Sequence, residues 1–285
     1  MTTRPLRQYY DQDVTLVVDE SLGAIVEPWF RHRERFLDAL RRLESDEWDA
    51  PTRCAAWTVR DVVSHLITVD GFFVTSLDAA RSGSPTSILP GFDPTAMPEL
   101  LVAPMRTKST HELLDDFAVG QATFLETVEA FDASDWMAPG ESPIGHVPAR
   151  LVLAHAFWDS WVHERDVFAP LGRPPALDAD EVFAAVWYSL FVFCVEGGLL
   201  DDAQSIGSRL DSPIDVQIAF DDVANRALRV QVDDGVRLES GDDPAITVSA
   251  LDLVESSTGR GGGARSMELL PNDLRTHLER GQQIF

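Results

Sequence analysis

His155, Asp159 and His163 recur at every fourth position of the segment LVLAHAFWDSWVHERDV, residues 151–167. Residues four apart lie on one face of a helix, one turn above another. The spacing therefore puts two imidazoles and a carboxylate on a single stripe, among Phe157, Trp158, Trp161 and Val162. A further imidazole, His65, sits at a matching depth in a second apolar segment, TVRDVVSHL, residues 58–66. Nitrogen and oxygen donors from facing helices are how helical bundles build a metal site. Burying such groups is costly unless they are paired or bound to an ion. A divalent cation would satisfy them together, and three protein ligands leave one position open for water or substrate. The plainer alternative is a set of core polar residues satisfied by hydrogen bonds. Spacing alone does not choose the ligands, since His155, Asp159 and His163 cannot all bind with equal ease from one straight helix.

Those residues need helices to hold them. Pro28, Trp29, Phe36, Leu37, Leu40 and Leu43 predict a first helix over about 27–43, with proline in its first turn. Thr58 and Asp61 form a capping box, with Asp in place of the usual Glu, and open a second helix that ends near Ser82-Gly83. A proline-rich stretch over 82–106 follows, read either as a lid or as a plain excursion. Ser109 and Glu112 cap a third helix to about 131, Pro148 starts a fourth, and 180–196 make a fifth. The connectors echo one another: Glu-Trp-Asp-Ala-Pro at 47–51 and Asp-Trp-Met-Ala-Pro at 135–139, each followed by a helix bearing histidine. That hints at two related helical hairpins.

After Gly197-Gly198 the pattern changes to period-two alternation around Ile214–Ile218, Leu228–Val232 and Ile246–Val248, which reads as strands. Helical pattern returns at 249–255 and 271–280. The expected fold is mainly α: a helical bundle over 1–205, whose first 21 residues are a variable extension, then a small α+β domain over 206–285.

Composition narrows the partners. The 285 residues carry a formal charge of −24, and a surface that acidic repels nucleic acid and anionic lipid. Lys108 is the only lysine, so an anionic ligand would have to be held by arginine. No run of 18 or more apolar residues occurs, so no membrane span is expected, and MTTRPLRQYYDQDV lacks a signal core, which predicts a cytoplasmic protein. Cys54 and Cys194 are too few for a disulfide framework. Both are read as structural thiols, although Cys54 lies where a helix dipole lowers thiol pKa.

Trp48, Pro51, Thr52, Cys54, Trp57, Thr58, Val59, Asp61, His65 and Leu66, followed by Trp161, Val162, His163 and Asp166, closely resemble the motifs of the mycothiol-dependent maleylpyruvate isomerase family. That family lies within the DinB-like four-helix metalloproteins. The resemblance covers 27–170 and implies a four-helix bundle binding a divalent metal, zinc in most members, through His65, Asp159 and His163. His155 then stands as a neighbour or an alternate ligand. Two departures are visible: Ala55-Ala56 replaces the family's Pro-Gly, and Asp159 replaces its Glu, one methylene longer.

The resemblance further implies mycothiol as thiol cosubstrate, activated as a thiolate for S-transfer or cis–trans isomerisation of a small electrophilic substrate. Related enzymes use an arginine of the C-terminal domain. Arg260 and Arg265, in TGRGGGAR at 258–265, are the candidates here: Arg260 for catalysis, both for binding a carboxylate of thiol or substrate. The same loop contains G-x-G-x-x-A, but a dinucleotide site needs a preceding strand in a βαβ unit, and none is evident. A binding protein with a degenerate metal site and a thiol-independent metal hydrolase are the rival readings. The chain is expected to act as a monomer or homodimer.

Overall fold

The computed structural model describes residues 8–10, 15–94, 96–199, 210–261 and 265–282. In chain order these form β1 (Leu16–Val18), α1 (Val26–Leu40), α2 (Val59–Arg81), α3 (Met97–Val102) and α4 (Thr110–Glu129). A hairpin of β2 (Pro139–Ser142) and β3 (Gly145–Pro148) leads into α5 (Ala149–Phe168) and α6 (Ala179–Leu199). Then come β4 (Ile214–Phe220), β5 (Ala227–Val232), β6 (Val236–Ser240), β7 (Ile246–Val248), α7 (Ala250–Ser257), α8 (Arg265–Leu269) and α9 (Asn272–Gly281). The chain divides into two compact units, Ile25–Ala176 and Arg4–Ala24 with Leu177–Phe285.

In the first unit α2 packs on α4 and α5, and α1 packs on the same two. Both predicted capping boxes are present. The Thr58 hydroxyl accepts from the Asp61 N–H while the Asp61 carboxylate accepts from the Thr58 N–H; Ser109 and Glu112 do the same for α4. Each box satisfies two N–H groups that the first helical turn leaves without partners. Phe36, Leu40, Val59, Val62, Val63, Leu66, Leu113 and Phe117 interdigitate beneath them, with Leu66 the most exposed at 1%. By length and mean hydropathy, 1.3 over its best window, α2 is apolar enough to cross a membrane. Half of that window is buried, as the central helix of a bundle requires.

The second unit holds a sheet in the order β1-β6-β5-β4-β7, with parallel outer pairs and antiparallel inner ones. Ile218, Leu228, Val230, Val232, Val236 and Leu238 are all fully buried, the alternation expected of strands with one covered face.

Two boundaries differ from the sequence reading. The bundle expected over 1–205 spans 25–176, because α6 packs with α7, α9 and the β5–β6 strands. A helix apolar on every side must be covered on every side, and in α6 Val182–Val195 are all buried. The supposed N-terminal extension contributes Leu16–Val18 as a strand parallel to β6. Three residues are too few to display a period.

The 82–106 stretch is also more structured than its composition suggests. The backbone N–H groups of Ile88 and Leu89 donate to the buried Glu141 carboxylate at 2.8 and 2.7 Å, and His146 Nε2 donates to the Thr86 carbonyl at 2.7 Å. Its later part forms α3. Hairpin β2–β3, which no alternation announced, holds Glu141 in place.

Candidate metal centre

The α2 capping box sets where that helix begins, and His65 lies two turns along it. Asp159 and His163 stand one turn apart on α5. The folded bundle brings all three together. One ligand atom of each lies within 4.8 Å of the other two. His65 Nε2 is 3.4 Å from Asp159 Oδ2, His163 Nε2 is 3.5 Å from Asp159 Oδ1, and the imidazole centroids are 5.0 Å apart. Both side chains are 9% exposed.

These contacts do not satisfy the donors. Asp159 Oδ2 and His65 Nδ1 are buried without a hydrogen-bond partner, which is expensive for polar atoms withdrawn from water. Two imidazoles and a carboxylate form a mixed nitrogen–oxygen set suited to zinc and its first-row neighbours. The residues therefore fit a divalent ion.

Behind His163 stands a second layer. Its Nδ1 donates to Asp166 Oδ2 at 2.9 Å, which turns Nε2 toward Asp159 and His65. Asp166 also accepts from the Cys54 thiol at 3.2 Å and from Arg53 Nε at 3.0 Å, and its backbone carbonyl accepts from the Arg53 N–H. A carboxylate that holds the far nitrogen of a ligating histidine fixes its tautomer and raises its basicity. Arg53 is the arginine that pairs with this carboxylate. Cys54, His163 and Asp166 also bring ligand-type atoms within 4.8 Å of one another, but here the thiol donates to the carboxylate and Arg53 neutralises it.

The charges follow from this arrangement. Burial works against a charged His163, but Asp159, Asp166 and Cys54 overcome it and raise the ring to about 10. Burial likewise opposes a charged Asp159, yet His65 and His163 hold its carboxyl below the usual range. A proton on His163 is one that a metal ligand gives up on binding.

His155 lies elsewhere. It is buried between Phe73 and Trp158, at ring separations of 5.5 and 5.8 Å, and outside the ligand group. Burial depresses it to about 4, so the ring is neutral. Trp57 flanks the site, 5.1 Å from the His65 ring and 6.4 Å from that of His163. Its indole N–H donates to Glu99 on α3, which Arg106 clamps together with Asp61.

A buried polar network that sequence reasoning missed ties α1 to this region. His32 contacts Ser160 at 2.9 Å and Glu164 at 3.2 Å, while Arg33 donates to Ser160 at 3.0 Å and to Asp70 at 2.5 Å. The available signal was a pair of ionisable residues inside the apolar face of helix one.

Arg260 follows α7 and donates to the Thr258 carbonyl; Arg265 opens α8 and is exposed. The glycine loop is preceded by a helix, not a strand, so the dinucleotide context is missing.

Residues 29–168 match the sequence profile of the mycothiol maleylpyruvate isomerase N-terminal domain. That segment belongs to this family. A search of curated proteins gives no sequence match. Among solved structures, the mycothiol-dependent maleylpyruvate isomerase superposes with a TM-score of 0.56 at 15% identity, covering 83% of this chain and 90% of that one. A histidine-to-alanine variant of that isomerase superposes at 0.55 and 14%, with the same coverage. At such identity the likeness is one of fold, and it extends beyond the family domain into the α+β part.

Proposed function

We propose that this chain is a cytoplasmic, divalent-metal-dependent enzyme that activates a low-molecular-weight thiol, mycothiol, against a small electrophilic substrate by isomerisation or S-transfer. The observation that carries the reading is the convergence of His65, Asp159 and His163 around an Asp159 Oδ2 left without a hydrogen-bond partner. The family of residues 29–168 supplies the thiol.

In this reading His65 and His163 each offer a neutral nitrogen and Asp159 a negative oxygen. Zinc is the ion proposed, and when bound it supplies the positive charge that keeps a thiol deprotonated at neutral pH. Asp166 keeps His163 Nε2 directed at the site. Trp57 shields one side of the two imidazoles from water and presents an aromatic surface. Arg260 and Arg265 are the proposed partners for carboxylates of thiol and substrate, with Arg260 orienting the reacting groups. The acidic surface makes arginine the natural recruiter of such anions.

Elemental analysis of the protein as isolated, combined with mycothiol titration and turnover assays, tests the proposal. Stoichiometric zinc, thiol binding that needs the metal, and loss of both in His163→Ala are expected. Metal-free protein whose thiol-dependent turnover survives His163→Ala overturns it. Turnover with metal but without thiol would favour a hydrolase.

A further inference from the structure

We infer that the helical unit is one helix–connector–helix motif used twice about an internal pseudo-two-fold axis, and that His155 marks a second divalent-metal position silenced by Val69 and Phe73. The inference rests on the metal-centre reading for the site at His65, but its structural evidence is separate.

The two connectors share a set of hydrogen bonds, although the second is two residues longer. The Ala50 N–H donates to the Glu47 carbonyl and the Ala138 N–H to that of Asp135; the Val59 N–H closes on Ala50 and the Ala149 N–H on Ala138. The Glu44 N–H is capped by the Glu47 carboxylate and the Asp132 N–H by that of Asp135, each at 2.9 Å. Counted back from these connectors, Trp29 and Phe36 of α1 correspond to Phe117 and Phe124 of α4. Their contacts exchange as a two-fold demands: Trp29 meets Phe124 at 4.7 Å, and Phe117 meets Phe36 at 5.4 Å.

Counted forward from Val59 and Ala149, His65 corresponds to His155, Val69 to Asp159, Asp70 to Ser160, Phe73 to His163 and Ser76 to Asp166. Arg33 donates to both members of the pair Asp70 and Ser160. Asp166 grips Arg53 of the first connector, and Ser76 grips the backbone of Glu141, its counterpart in the second. The ring pair His65–His163, at 5.0 Å, has its image in His155–Phe73, at 5.5 Å. Matched contacts that swap halves are the mark of a two-fold arrangement, and the repeated connector sequence is the mark of a duplication. The image of the metal centre thus keeps one donor, His155, and has lost the other two.

Two substitutions test this. Val69→Asp with Phe73→His should raise bound zinc from one to two per chain, measured by elemental analysis after dialysis. His155→Ala in that background should return it to one. A folded double variant that binds no more zinc than the parent overturns the inference. Should the parent bind no zinc while the double variant binds one equivalent dependent on His155, the proposed function fails and the second position stands. Because position 73 is buried, a metal-independent pair decides if that variant does not fold. Asp70→Ser should lower the melting temperature, and adding Ser160→Asp should restore most of it by moving the carboxylate to the equivalent place beside Arg33. No restoration overturns the duplication.

Discussion

Arg33 and Asp70 offer the sharpest energetic test of the bundle. Arg33 is fully buried and Asp70 is 3% exposed, with Nη2 and Oδ2 2.5 Å apart. The guanidinium also faces the Phe117 ring at 3.9 Å. Breaking a buried pair from one side strands the other charge, at about 3–5 kcal/mol. The two sides are not equivalent. Asp70→Ala leaves a guanidinium that cannot lose its proton, so its cost should be about 3–5 kcal/mol and flat from pH 6 to 8. Burial already pushes the Asp70 carboxyl up to about 6 against the pull of Arg33. In Arg33→Met that pull is gone, the value rises further, and the native state holds a proton that the unfolded chain releases. A raised carboxyl value means stability gained as pH falls. Above pH 6 Asp70 of the parent is charged in both states and adds no pH dependence, whereas the variant should recover, relative to the parent, about 1.4 kcal/mol per pH unit, or about 3 kcal/mol between pH 8 and 6. Urea unfolding followed by circular dichroism reads this directly: with a slope of about 1–3 kcal/mol per molar, the midpoint moves by roughly 1 M or more. A gap between Arg33→Met and parent that stays constant from pH 8 to 6 would refute the reasoning. So would an Asp70→Ala variant within about 1 kcal/mol of the parent.

Phe36→Ala removes a fully buried ring that meets Phe117 and Phe168 edge-on, and should cost about 3–5 kcal/mol in urea unfolding. Glu141→Ala should release the backbone of Ile88 and Leu89, so that limited proteolysis cuts the 83–92 segment faster than in the parent. Asp166→Asn should weaken zinc binding about 10- to 100-fold in chelator competition, because it loosens the bond that directs His163; unchanged affinity would remove Asp166 from any part in the site.

Short-range signals carried most of the secondary structure. Thr58 with Asp61 and Ser109 with Glu112 mark helix starts because a capping box closes within four residues, and period-two runs marked β4, β5 and β7 for the same local reason, while β6 was not read from the pattern. The ligand stripe on α5 was legible because helical spacing is fixed by backbone geometry. So was the echo between the two connectors, although it could not show that the halves face one another about an axis.

What the chain pattern could not decide is which distant surfaces meet. That His65 approaches His163 while His155 meets Phe73 depends on how α2 and α5 pack, since all three histidines sit on apolar faces and read alike in one dimension. Arg53 and Asp166, or Arg33 and Asp70, are ordinary polar residues until folding removes water from around them and makes their pairing obligatory. The assignment of α6 and Leu16–Val18 to the sheet unit is of the same kind: an apolar surface states that it must be covered, and only the tertiary structure says by what.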